Sequence, residues 1–191
     1  MICYLSIIKD VVLILTALAT ATVAIIGITK WKSEFKGKTY FEVSYKFLKS
    51  VYKLRDNFSA LRANFISVNE MLTNNDEIKN YDYENTRFVI NNRLKPFNEA
   101  YNEFNSILPE IEALFGKELK EKCLQIKHVF FLYQDNLNSY MQLYGNTNNM
   151  EHFAELAKGV FMQSKEDKYK TDLDKLISSI ETEISKHIKM K

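Results

Sequence analysis

Three stretches of the chain carry large apolar residues at the alternating spacing of three and four that marks one face of an α-helix. The first runs from Val51 to Leu72, the second from Ile90 to Phe115 and the third from Leu119 to Tyr144. A fourth series, Phe153 to Ile184, is interrupted by the polar stretch Gln163 to Thr171. The pattern predicts an all-α protein, an antiparallel bundle of about four long helices.

Polar segments predict where these helices end. Thr73 to Tyr83 is rich in Asn and Asp and predicts a loop, and Asn146 to Asn149 predicts a turn after Gly145. The second and third series nearly share a phase, so a break between them must be located. We expect it near Ser106 to Pro109, because proline suits the first turn of a helix, with Gly116 as the alternative.

An uncharged apolar segment precedes the bundle. Val11 to Thr29 would span roughly 28 Å as a helix, close to the hydrocarbon thickness of a bilayer. Its threonines can bond to their own helix, and Trp31 follows where an interfacial aromatic residue would lie. A cleaved signal peptide, cut near Ala19 to Ala21, is the alternative, but apolar residues continue to Ile28. We expect a single-pass membrane anchor.

The flanking charges predict the orientation of the anchor. Lys9 is the only basic residue before it, whereas residues 30–55 hold eight Lys or Arg against two Glu. The positive-inside rule places the soluble domain in the cytoplasm, at the inner membrane. Residues 56–191 carry more acidic than basic residues, so we expect no nucleic acid to bind. Membrane lipid is the expected partner of five residues, Lys30, Trp31, Lys32, Lys36 and Lys38.

These features divide the chain into four predicted segments: an N-terminal flank at 1–10, a transmembrane helix at 11–29, a basic juxtamembrane linker at 30–38 and a helical bundle at 39–188. Thr39, with Glu42 three residues later, forms the pattern of a capping box and predicts the start of the first bundle helix. Gly37 would be the hinge before it.

Small residues form a stripe along the predicted transmembrane helix. Residues four apart on one face let membrane helices approach closely, which predicts self-association, although small residues are also simply common in such helices. The stripe comprises Ala17, Thr20, Ala21, Ala24 and Gly27.

No catalytic or metal-binding pattern emerges. Cys3 and Cys123 lie on opposite sides of the anchor and cannot form a disulfide, and Cys123 is expected to be a buried thiol. Glu183 and His187 are four apart and could share a helix face, but di-iron bundles use the spacing Glu-x-x-His twice, and this chain has no such pair. We therefore expect no metal, no cofactor and no enzymatic activity.

Charged residues beside the first apolar series admit two interpretations. Arg55, Asp56 and Arg62 would either form a structural salt-bridge network or present a recognition surface to an acidic partner. In the network, Asp56 would accept from Arg55 or from an arginine of another helix, such as Arg93. Four tyrosines fall outside the apolar series and are candidate interface residues: Tyr40, Tyr81, Tyr83 and Tyr169.

Several short motifs occur along the chain: Lys36-Gly37-Lys38-Thr39 with Glu42, Tyr52-Lys53-Leu54-Arg55-Asp56, Arg62, Phe65-Ile66-Ser67 with Glu70, and Leu114 to Glu118. Together they resemble an uncharacterised group of small bacterial single-span proteins. The resemblance covers about residues 30–145 and implies a membrane-anchored helical protein of bacterial origin, without a known activity.

Two functions are compatible with this sequence. The first is a membrane-anchored interaction or scaffold module that presents a cytoplasmic bundle to a protein partner or to another copy of itself. The alternative is an oligomerising membrane effector, for example an accessory of bacterial defence, that acts through its transmembrane helix.

Overall fold

The computed structural model describes residues 2–64, 70, 83–144, 150–161 and 167–189. This part of the chain contains five helices and no strand, which confirms the predicted all-α fold. The helices are α1 (Ile2–Leu61), α2 (Tyr83–Phe115), α3 (Lys117–Leu143), α4 (Met150–Val160) and α5 (Lys168–Lys189). The chain divides into two compact units, here called the anchor unit (Met1–Glu42) and the bundle unit (Val43–Met190).

The anchor unit contains a helix able to span a membrane, the one such helix in the described part of the chain. Its apolar side chains are exposed, as Val23 at 70% and Ile25 at 64% illustrate. The threonine hydroxyls donate to their own backbone as expected, for example Thr16 to the Val12 carbonyl at 2.8 Å. Signal sequences share these features, so the structure shows a membrane-compatible helix rather than a location.

Helix α1 does not restart at Thr39, so the predicted capping box is wrong. The Thr39 hydroxyl donates to the Phe35 carbonyl at 3.0 Å, as a residue in a helix interior does. Lys38 and Glu42 lie 3.8 Å apart as an i,i+4 pair along the same helix. Gly37 alone does not interrupt a segment otherwise made of residues that tolerate a helix.

The core of the bundle unit is built around Phe58, which is 2% exposed. Its ring lies 4.9 Å from the ring of Phe130 and 4.9 Å from that of Tyr133, in edge contacts. Phe97 on α2 and Tyr169 on α5 complete the cluster. Such offset and edge-on ring pairs contribute beyond the area they bury. One aromatic cluster therefore joins α1, α2, α3 and α5.

Neighbouring helices of the bundle are antiparallel, as predicted. Phe47 and Phe58 of α1 contact Phe104 and Phe97 of α2 respectively, so sequence numbers rise on one helix as they fall on the other. Helices α2 and α3 follow the same rule: Phe97 contacts Phe130, and Glu112 accepts from Lys120.

The break between α2 and α3 lies at Gly116, so the favoured position near Ser106 to Pro109 is wrong. Pro109 is an exposed residue inside α2, with buried Ile107 and Ile111 on either side. A proline inside a helix costs about 3 kcal/mol, and the burial of the apolar side chains before and after it offsets that cost. Gly116 instead adopts φ +82° and ψ −172°, a backbone conformation that is essentially restricted to glycine.

Helix α1 ends at Leu61, eleven residues before Leu72, where the apolar series predicted its end. The amides of Arg62 and Ala63 donate to Phe58 and Ala60 at 3.2 Å each, and the helix goes no further. The predicted positions Phe65, Val68 and Leu72 lie outside the described residues.

The remaining connections between helices either differ from the predictions or lie outside the described residues. The C-terminal apolar series forms two helices, α4 and α5, and residues 162–166 between them lie outside the described part. The predicted loop at 73–83 and the turn at 145–149 do so as well, except that Tyr83 begins α2.

Candidate functional site

The five predicted membrane-surface residues lie on α1 in the anchor unit. Trp31 is 64% exposed and stacks on Phe35, with ring centroids 5.8 Å apart. The Lys36 ammonium lies 5.7 Å from the centre of the Tyr40 ring. Lys30, Lys32 and Lys38 are exposed on the same helix. An exposed tryptophan among lysines is the arrangement expected at a bilayer interface.

The small-residue stripe on α1 is exposed along its length. A Cβ atom added to Gly27 would meet nothing within 4 Å, so no described residue covers the helix there. Self-association through Ala17, Thr20, Ala21, Ala24 and Gly27 stays a prediction.

The three charged residues singled out in the sequence do not form one network. Asp56 accepts from Arg55, both from Nε and from Nη2 at 3.0 Å, and both side chains are exposed, at 39% for Arg55 and 67% for Asp56. Arg62 is 2% exposed and binds elsewhere. Arg55 and Asp56 therefore form a local surface pair, and such pairs contribute little to stability.

Arg62 is the centre of the most elaborate polar site in the described part of the chain. Its guanidinium donates to both carboxylate oxygens of Asp167, at 2.8 and 2.9 Å. It also donates to the carbonyls of Gly159, at 3.1 Å, and Val160, at 3.4 Å. Those carbonyls close the C-terminal end of α4, where a cation is favoured.

Aromatic rings surround the same guanidinium. The central carbon of Arg62 lies 5.1 Å from the ring centre of Phe58, 5.0 Å from that of Tyr169 and 5.7 Å from that of Tyr133. Cation–π attraction is strongest where water is excluded, as it is here. We call this arrangement of Arg62, Asp167 and the three rings the arginine clamp.

Asp167 has a second role in the arginine clamp, because it caps α5. Its Oδ1 accepts from the amide of Lys170 at 3.2 Å, which is the bond of an N-cap residue. One carboxylate therefore starts α5 and binds Arg62. The clamp joins the end of α1, the end of α4 and the start of α5.

Arg93 forms a second polar anchor near the end of α1. Its Nη1 donates to the Ala63 carbonyl and its Nε to Glu70, both at 2.6 Å. Arg93 therefore bonds to the chain that leaves α1, whereas Asp56 accepts from its neighbour Arg55. The chain that leaves α1 is thus fixed at two successive residues: the Arg62 side chain bonds to Asp167, and the Ala63 carbonyl accepts from Arg93.

A cavity of about 520 Å³ adjoins the arginine clamp between α3, the end of α4 and the start of α5. Its walls combine the apolar side chains Val129 and Leu132 with charges of both signs, among them Asp135 and Lys158. The charges of opposite sign compensate one another, and Arg62 is already bound to protein groups. The geometry therefore indicates a structural site.

The sequence could have identified part of the clamp. Asp167 lies in the polar stretch before the last apolar residues, and an aspartate before a helical series is a recognisable N-cap signal. Tyr169, expected at an interface, instead lies against Arg62 and bonds to Asn136. The pairing of Arg62 with a residue over a hundred positions later carries no sequence signal.

The other titratable groups have structural surroundings. Cys123 is fully buried, as predicted, and burial raises the pKa of its thiol to about 12. Glu183 faces three basic groups, Lys186 at 2.9 Å, Lys122 at 3.5 Å and His187 at 3.7 Å. The hydrogen bond from Lys186 lowers the pKa of Glu183. Among the described residues, no group of three potential ligands could hold a metal.

Comparison with known proteins adds no relative: no protein-family model, no curated protein and no solved structure matches this chain.

Proposed function

We propose that this chain is a membrane-anchored interaction module, whose helical bundle lies at the cytoplasmic face of the inner membrane and holds a protein partner there. The observation that carries the proposal is apolar surface left open on a well-packed bundle. Phe131, Leu124 and Leu132 of α3 are 66%, 45% and 44% exposed. Clusters of exposed apolar side chains on soluble surfaces mark contact sites.

The interior of the bundle supports the same function. The most buried charge, Arg62, is bound by Asp167 and by two backbone carbonyls, and it ties three helix ends together. A group engaged in this way stabilises a scaffold and is not free to react with a substrate. The proposal therefore assigns the chain a binding function without catalysis.

The cytoplasmic location rests on charge. Four lysines follow the apolar segment within the anchor unit, namely Lys30, Lys32, Lys36 and Lys38, against Lys9 before it. The same lysines would bind anionic headgroups, at about 1 kcal/mol each near the surface.

The test of this function is the composition of the complex after gentle extraction from the native membrane. A second protein present in a fixed ratio is the expected result. A homo-oligomer without a second protein would contradict the proposal and favour the membrane effector, with Ala17, Ala21 and Ala24 at its contact.

A further inference from the structure

A groove runs along the outer face of the α2–α3 hairpin. Two concavities form it, one of about 190 Å³ and one of about 350 Å³. Both are lined by Leu94 of α2 and Leu137 of α3, so they are continuous. From Lys127 to Gln142 on α3, the groove extends roughly 22 Å along the helix.

The groove has an apolar floor and an amide rim. Five buried residues form the floor: Ile90, Phe97, Phe130, Tyr133 and Leu137. The rim consists largely of exposed amides: Asn91, Asn98, Gln134, Asn138 and Gln142. This is the profile of a groove that takes the apolar face of a helix and bonds to its polar edges. The exposed Phe131 ring stands beside the floor as an additional apolar contact.

The charges of the groove specify the occupant further. Arg87 lines one concavity and Lys127 the other, and no described residue that lines either one is acidic. Within the described part of the chain, neither cation is in an ion pair. The contrast with the surroundings matters, because residues 56–191 as a whole carry 21 acidic against 17 basic residues. A groove with a cation near each end complements a ligand with acidic ends.

We propose that this groove binds an amphipathic helix of a protein partner, about 15 residues long, whose apolar stripe is flanked by acidic residues at both ends. The proposal rests on the proposed function and names the chemistry of the partner. Arg87 and Lys127 set the register of the bound helix, and Phe131 contacts its apolar face.

The experiment is a selection on the purified full-length chain in nanodiscs. The probe is a display library of helical peptides of about 16 residues. Apolar residues vary along one stripe, and Glu, Gln or Lys vary in the first and last turns. We expect peptides with Glu at both ends to be enriched. Absence of enrichment, or enrichment without a preference at the ends, would overturn the proposal.

Charge reversal sharpens this test. Arg87→Glu and Lys127→Glu should each weaken the selected acidic peptide about tenfold at low salt and favour Lys at the corresponding end. Lys117→Glu, at the start of α3 outside the groove, is the matched control and should change neither. Equal effects of Lys127→Glu and Lys117→Glu would contradict the proposal.

A second copy of the chain is the competing occupant. Sedimentation of the full-length chain in detergent tests it, because a dimer that Gln134→Arg dissociates would place another copy in the groove and overturn the proposal. Failure of the peptide selection is distinguishable from failure of the proposed function, since the selection needs no native partner and the extraction experiment needs no knowledge of the groove.

Discussion

Replacing Arg62 with methionine removes the cation of the arginine clamp and leaves its partners in place. Asp167, whose side chain is 9% exposed, then keeps a buried carboxylate without its bidentate partner. The carbonyls of Gly159 and Val160 lose a donor as well. Removing one member of a buried ion pair typically costs 3–5 kcal/mol, because the remaining charge stays desolvated. We therefore expect Arg62→Met to destabilise the bundle by about 4 kcal/mol.

Urea unfolding of the full-length chain in detergent, followed by circular dichroism at 222 nm, measures this loss. With a slope of about 2 kcal/mol per molar urea, the midpoint should fall by roughly 2 M. The matched control is Arg55→Met, because Arg55 is 39% exposed, pairs with its neighbour Asp56 and lies over the ring of Tyr52 at the surface. The control should shift the midpoint by less than about 0.3 M.

A double variant separates the clamp from simple loss of packing. Asp167→Asn preserves an acceptor for the cap of α5 and removes the charge that Arg62 binds. Combined with Arg62→Met, it should restore part of the lost stability, since no unpaired charge stays buried. An Arg62→Met midpoint that matches the Arg55→Met control, or additive effects in the double variant, would refute the reasoning.

Three further predictions concern single residues. Gly116→Ala should destabilise the bundle by about 1 kcal/mol in the urea assay, because side chains rarely adopt φ +82° with ψ −172°. Gly159→Ala, in open space inside α4, should not destabilise it, and equal effects of the two substitutions would contradict the strained conformation at Gly116. In a Cys3→Ser background, Cys123 should react with maleimide at pH 8 only after unfolding, since burial raises its pKa to about 12. Rapid labelling of the folded chain would contradict a buried thiol at Cys123. Lysine contacts lower the pKa of Glu183 in the folded state, so the stability that Glu183 contributes is present above its unfolded pKa and is lost as the pH falls through its folded pKa. Glu183→Gln should therefore flatten the loss of stability below about pH 4.3. An unchanged pH profile of the free energy of unfolding would exclude this contribution of Glu183.

Local periodicity was sufficient to predict the helical fold and most of its core. Residues such as Phe58, Phe104 and Ile126 repeat at the spacing of a helix face, and the structure buries each of them. The prediction was wrong where tertiary packing outweighs a local preference. Pro109 remains inside α2 because the apolar residues on both sides of it are buried.

Long-range contacts explain what the sequence could not show. Phe65 and Val68 continue the apolar series beyond Leu61, yet α1 ends where Arg62 turns to meet Asp167. The partner of Arg62 depends on the arrangement of α4 and α5, which no local pattern encodes. The α2–α3 groove is likewise a product of helix packing, since its two cations lie far apart in the sequence.

The most direct test of the central claim is the topology of the chain in its native cell. Lys175→Cys, an exposed position on α5, is combined with Cys3→Ser, while the buried Cys123 remains. We expect the chain to stay in the membrane pellet after carbonate extraction. A membrane-impermeant maleimide should label Cys at position 175 only after spheroplasts are permeabilised. Release of the chain into the soluble fraction, or labelling of intact spheroplasts, would contradict a membrane-anchored module with its bundle in the cytoplasm.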